Sequence, residues 1–178
     1  MTLSEAIVIR ISHDLAGAVG AFSNTVDLMR MDASFITESV ELLETTSHQL
    51  NARLAFFRAL FGAETKSIDT ALLQRYLKTL AISVQFEGAL NTRLQLALVA
   101  VGLELVGTQA TLILKDQQLR ILGKDLTHNT NLIQMLMGTQ IPSDPKLVMA
   151  EWLVQLVKQD ELIIRLEAGD DMITISLT

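Results

Sequence analysis

The stretch Arg10-Ile-Ser-His-Asp-Leu-Ala-Gly-Ala-Val-Gly-Ala-Phe-Ser-Asn24 lies inside a long helical pattern and offers one histidine, His13, followed by an acid and then by small residues. Around it Val8, Leu15, Phe22 and Met29 recur every seventh residue, with Ile11 and Ala18 between them, which is the spacing of a coiled-coil seam. At roughly 100° per residue, His13 falls two positions from both Ile11 and Leu15 and turns away from the seam toward solvent. Ala16, Gly17 and Gly20 follow it by three, four and seven residues, so they share its face and leave it bare. An interior helical glycine costs about 1 kcal/mol relative to alanine, so two of them beside a candidate nucleophile point to close approach by another macromolecule. Imidazole is a nucleophile toward phosphoryl groups, and the adjacent Asp14 carboxylate is placed to orient the ring and hold its reactive tautomer. The pair points to phosphoryl transfer. The plainer alternative is a surface histidine on a Gly/Ala-rich packing helix.

Working outward, Thr2-Leu-Ser-Glu5 is a capping box that opens the first helix, which runs to about Met31. Asp32-Ala-Ser34 reads as a short turn with a new N-cap, and so short a connection makes the next helix an antiparallel neighbour. There Ile36, Leu43, Leu50 and Phe57 repeat by seven, as do Val40, Ser47, Leu54 and Phe61. Two helices cannot enclose a seam of this length alone, whereas two hairpins close a four-helix bundle, so a homodimer is expected. The other solution is that the hairpin packs onto the rest of its own chain.

Gly62-Ala-Glu-Thr-Lys-Ser67 shifts toward small and polar residues, which divides the chain into a hairpin domain, residues 1–62, and a second domain, residues 68–178. In the second, Asp69 caps a helix through about Leu80, Ile82 to Phe86 reads as a strand, and Asn91 to Val106 reads as a helix ended by Gly107. Thr111 to Lys115 and Leu119 to Leu122 form a strand pair, and Asn129 to Met137 a short helix. Pro142 and Pro145 bracket the start of the next helix, with Asp144 as cap, Pro145 in the first turn and an inner face of Leu147, Val148, Trp152 and Leu156. Leu162 to Glu167 and Met172 to Leu177 form a final hairpin in which Ile173, Ile175 and Leu177 alternate inward. The fold class is therefore a helical hairpin followed by a small α/β unit with helices on an antiparallel or mixed sheet.

Composition narrows the chemistry. The 178 residues contain no cysteine and three scattered histidines, which excludes disulfides, thiol catalysis and thiolate metal sites, and encodes no zinc cluster. A net charge of −6 argues against a nucleic-acid partner, since duplex binding relies on clustered Lys and Arg. No run of eighteen uncharged apolar residues is flanked as a membrane span would be and no signal peptide opens the chain, so a cytoplasmic location without a membrane partner is expected.

His-Asp-Leu-Ala-Gly-x-Val-Gly-Ala from His13, with Asn24 after it, resembles the phosphoacceptor box of sensor histidine kinases, and among these looks most similar to the ChpT-type histidine phosphotransferases of alphaproteobacteria. The resemblance extends to Asn51-Ala-Arg-Leu-Ala-Phe-Phe-Arg-Ala-Leu-Phe-Gly62 and, more loosely, to the α/β remainder. It departs at Ala18, where such boxes usually carry proline, and loss of that kink leaves the first helix straighter. The resemblance implies a dimeric hairpin followed by an ATPase-like α/β sandwich. It also implies that His13 relays a phosphoryl group between the aspartates of response-regulator receiver domains, with Asp14 orienting the ring and Mg²⁺ supplied by the receiver, so that this chain needs no cofactor.

The nucleotide chemistry of such a sandwich is missing. Where a kinase places its metal-binding Asn, this chain reads Arg93-Leu-Gln-Leu-Ala-Leu-Val-Ala-Val-Gly-Leu-Glu-Leu105, and no Asp-x-Gly-x-Gly or Gly-x-Gly-x-x-Gly occurs. A degenerate, non-nucleotide domain is expected. Docking of the partner is expected on Ala16, Gly17, Gly20 and Asn24, together with Arg53, Arg58 and whichever of the Phe56 to Phe61 aromatics, Phe57 among them, face outward. His48 has no acid after it and reads as solvated, and His128 as preceding or capping a helix. The rival readings are a dimeric scaffold or inhibitor without chemistry and, further off, a divergent kinase or phosphatase with a cryptic nucleotide site.

Overall fold

The computed structural model describes residues 1–62, 70–80, 82–87, 92–106, 110–123, 126, 129–139 and 144–178, with the side chains at 72, 75, 76 and 79 left aside. The expected boundary after Gly62, the Asp69 cap, Gly107, His128 and Pro142 lie outside the described residues.

Thr2 accepts a hydrogen bond from the Glu5 backbone N–H at 3.2 Å, and the Glu5 carboxylate accepts from the Thr2 N–H at 2.7 Å, so the reciprocal cap is formed. From it α1 runs unbroken over Leu3–Met31. Asp32 caps a short 3-10 turn through its carboxylate, 2.8 Å from the Ser34 N–H, and the chain reverses into α2, Ile36–Phe61. Between the two helices Ile11, Leu15, Ala18, Phe22 and Met29 are half-buried as a seam, and Ala6 and Thr25 are buried. Val8, expected in that seam, is instead 61% exposed. An α-helix drifts about 20° per heptad against a strict seven-residue repeat. The seam therefore recentres on Ala6 and Ile11 at one end and on Thr25 at the other, and Val8 rotates onto the flank.

The α/β unit follows as α3 (Thr70–Thr79), β1 (Ser83–Glu87), α4 (Arg93–Leu105), β2 (Ala110–Lys115), β3 (Gln118–Gly123), α5 (Thr130–Leu136), α6 (Val148–Gln159), β4 (Ile164–Ala168) and β5 (Met172–Leu177). Its five strands lie in the order β1-β2-β3-β5-β4, with β1 parallel to β2 and the other neighbours antiparallel, so the sheet is mixed. The parallel pair requires a crossover, which α4 provides. Leu112, Leu119, Ile121, Ile173 and Ile175 make the buried face of the sheet. Several boundaries shift by one or two residues from expectation, β4 for example running over Ile164–Ala168, and two helix starts have a visible cause. The helix expected from Asn91 starts at Arg93, because Thr92 and Gln95 form a second capping box, each side chain 3.2 Å from the other's backbone N–H. Pro145 opens a 3-10 turn capped by Asp144, and α6 begins only at Val148.

The apolar character of α4 has a packing cause. One side of α4 lies on β2 and β3 while the other meets α2 and α6, so the helix has almost no solvent face. At Gly102 the helix lies tight against the sheet, and an added Cβ would stand 2.8 Å from Leu119 Cδ2.

One end of the hairpin packs onto the chain's own α/β unit. Phe61 meets Trp152 of α6 edge to face, the Arg93 guanidinium donates to the Gly62 carbonyl at the end of α2, and Arg10 pairs with Glu104 of α4. The far half of the hairpin is uncovered, with Val19, Val26, Ile36, Val40 and Leu42 all exposed. Among the described helices α1 alone is long and apolar enough, by length and composition, to cross a bilayer. Its uncharged stretch between Asp14 and Asp27 is twelve residues, about 18 Å of helix against a hydrocarbon core of about 30 Å.

Candidate functional site

His13 stands on the outer surface of α1 with its side chain 85% exposed, as its offset from the seam predicts. Gly17 lies one turn on and Gly20 two, and a Cβ added at either would meet nothing within 4 Å. The glycines therefore do not serve close packing between α1 and α2. Ala16 and Asn24 are exposed as well, so the bare face around His13 is formed.

Asp14 is oriented differently. One residue further along the helix turns its side chain toward α2, where it is 18% exposed. Its Oδ1 lies 3.5 Å from His13 Nδ1, a separation longer than a strong hydrogen bond but within ion-pair range. Nδ1 thus faces the carboxylate and Nε2 is left for an incoming group. On its other side, Asp14 Oδ2 lies 3.5 Å from Arg10 Nε, and the Arg10 guanidinium reaches Glu104 Oε1 at 2.7 Å. Arg10 Nε is shielded from solvent without an aligned hydrogen bond, so its contact with Asp14 is an ion pair rather than a directed bond.

Arg53 comes from α2 to the same place. It is half-buried, and its Nη1 approaches the Asp14 backbone carbonyl at 3.5 Å. A groove between the helices is lined by His13, Asp14, Gly17, Gln49 and Arg53, and a second, below it, lies between Arg10, Asp14, Arg53, Phe57 and Glu104. Arg53 therefore joins the two grooves, facing the His13–Asp14 pair. Phe57 does not belong to an outward rim. Only 7% exposed, its ring packs at a tilt against Phe56 and Phe61 with centroids 6.1 Å from each, because its position on α2 faces the junction with the α/β unit. Arg58 and His48 are exposed.

Glu104 was not among the residues singled out in the sequence. It lies 94 residues from Arg10, and no local pattern connects the two. Burial raises its pKa above the ordinary carboxylate value, opposed by the charge and hydrogen bond of Arg10. Among the described residues no group of three or more His, Asp or Glu side chains is arranged to hold a metal ion.

No family model and no curated protein matches this sequence. Among solved structures, a bacterial phosphotransferase aligns with 99% of this chain and 95% of its own, at a TM-score of 0.82 and 20% sequence identity. The Acinetobacter baumannii histidine kinase AdeS aligns over 93% of this chain and 97% of its own, at 10% identity and a TM-score of 0.37, too distant to bear on the fold. The hairpin followed by a mixed five-stranded sheet with its helices is therefore, over nearly the whole chain, the fold of a bacterial phosphotransferase.

Proposed function

We propose that this protein is a histidine phosphotransferase of the ChpT type, relaying a phosphoryl group between receiver-domain aspartates through His13. The observation that carries the reading is the exposed imidazole on a face kept bare by Gly17 and Gly20, with a carboxylate beside Nδ1. In the forward step, the Nε2 lone pair attacks the phosphorus of an aspartyl phosphate on the receiver. The P–N bond forms as the P–O bond breaks, and the receiver's carboxylate leaves with the electron pair. Asp14 holds the proton on Nδ1 before attack, and as the ring becomes cationic it stabilises the charge on that same Nδ1–H. Mg²⁺ and the acids that bind it belong to the receiver, so the chain contributes a nucleophile and a docking face but no cofactor.

The protein acts in the cytoplasm as a homodimer in this reading. Supporting the dimer, Val8, Val19 and Val26 of α1 and Val40 of α2 lie exposed on the flank of the hairpin away from the His13 groove. Pairing two such flanks closes a four-helix bundle with both histidines outward. The α/β unit then supplies contact surface for the receiver in place of nucleotide binding.

The test is transfer from a receiver phosphorylated with labelled acetyl phosphate. Label on the wild type that is acid-labile, alkali-stable and lost in His13→Ala supports the reading. A chain that binds the receiver without taking label is a scaffold, and one labelled by ATP alone is a kinase. Either result overturns the proposal.

A further inference from the structure

We propose that Arg10 and Glu104 are positioning residues for His13: Glu104, on the α/β unit, holds the Arg10 guanidinium, which in turn restrains Asp14 with one oxygen toward the His13 ring. This rests on His13 as the phosphoacceptor. An Arg–Asp pair at i, i+4 on a helix surface is by itself too weak to keep a carboxylate in one orientation. Here the pair is not free-standing. Arg10 is tied at its far end to Glu104 at 2.7 Å, and the three side chains are only 25%, 18% and 20% exposed for Arg10, Asp14 and Glu104. Partial burial strengthens each contact and couples it to the next.

The charges facing Asp14 come from both of its neighbours in the fold. Arg10 is on its own helix, Arg53 approaches its backbone from α2, and Glu104 acts from α4 through Arg10. Without Glu104 the guanidinium loses its fixed end, Asp14 is no longer held with Oδ1 toward Nδ1 of His13, and the ring is less able to carry the positive charge that phosphorylation creates. The α/β unit therefore has a part in the chemistry of the hairpin as well as in docking.

The experiment uses the full-length chain as wild type, Glu104→Gln and Arg10→Lys, with melting curves to show that each is folded. The His13 ring is titrated by NMR, assigned by its loss in His13→Ala, with exposed His48 as an internal control. In parallel, phosphorylation by phosphoramidate reads the reactivity of the ring without any receiver. Both variants should titrate His13 at lower pH than wild type, leave His48 unmoved, and take label about two- to tenfold more slowly, the range that loss of one hydrogen bond spans. An unmoved His13 titration, or a moved one with unchanged labelling, overturns the proposal and leaves Arg10–Glu104 as a purely structural tie. A wild type that takes no label from either donor sinks the phosphotransfer reading itself. The titration then decides alone whether this chain of charges governs the ring.

Discussion

Phe61 and Trp152 meet edge to face, with ring centroids 5.5 Å apart and planes inclined at 61°. One ring closes the hairpin's second helix and the other stands on α6, so this contact helps seat the hairpin on the α/β unit beside the Arg93–Gly62 and Arg10–Glu104 contacts. Trp152 is half-buried. Trp152→Ala should lower stability by roughly 2–3 kcal/mol, less than for a fully buried aromatic. Denaturant unfolding measures the loss, and Trp152→Phe should recover most of it.

Gly20→Leu should leave the melting temperature and helix content near wild type, because nothing lies within 4 Å of the added Cβ. The same variant should lose transfer from a phosphorylated receiver if the bare face is where the receiver docks. Full transfer with leucine in place moves the docking face elsewhere.

The same substitution at two glycines should have opposite signs. Gly17→Ala replaces a glycine in open space within a helix and should stabilise by about 0.5–1 kcal/mol. Gly102→Ala places a Cβ 2.8 Å from Leu119 Cδ2 and 3.3 Å from Leu112 Cδ2, both side chains fully buried. Overpacking of this kind costs about 1–3 kcal/mol and outweighs alanine's better helix propensity. Calorimetric melting of both variants checks the contrast.

Val19→Asp tests the dimer without attacking the protomer's core. Val19 is 58% exposed, so the single chain should tolerate the change. A pair of hairpins joined on that flank would bury an unpaired carboxylate and separate. Light scattering should give a dimer mass for wild type and a monomer mass for the variant, with unchanged circular dichroism. A monomeric wild type at micromolar concentration would remove the four-helix bundle.

Glu104 should leave a signature in the pH dependence of stability. Its folded pKa is raised above the ordinary value of 4.5, chiefly by burial, so the folded chain holds this proton more tightly than the unfolded one. Stability from this group is therefore greatest at acid pH and declines as pH rises from 4.5 through the raised value. Glu104→Gln should flatten that part of the profile. Melting temperatures measured from pH 4.5 toward neutrality would show it, and a slope as steep as wild type would contradict the burial argument.

The periodicity of Ile11, Leu15, Ala18 and Phe22, the Thr2–Glu5 cap and the short Asp32 turn were enough to determine a helical hairpin with His13 outward, because each is a local rule of helix geometry. The strands and the inward alternation of Ile173, Ile175 and Leu177 were legible for the same reason. Only the tertiary structure decided the rest. Helical drift over 29 residues put Val8 outside the seam, and the lean of α2 against the α/β unit buried Phe57, in keeping with its place in the seven-residue repeat and against its expected place in a docking rim. The link from Glu104 through Arg10 to Asp14 spans 94 residues, and a charge pair of that separation leaves no period in the sequence because docking of one unit on the other creates it.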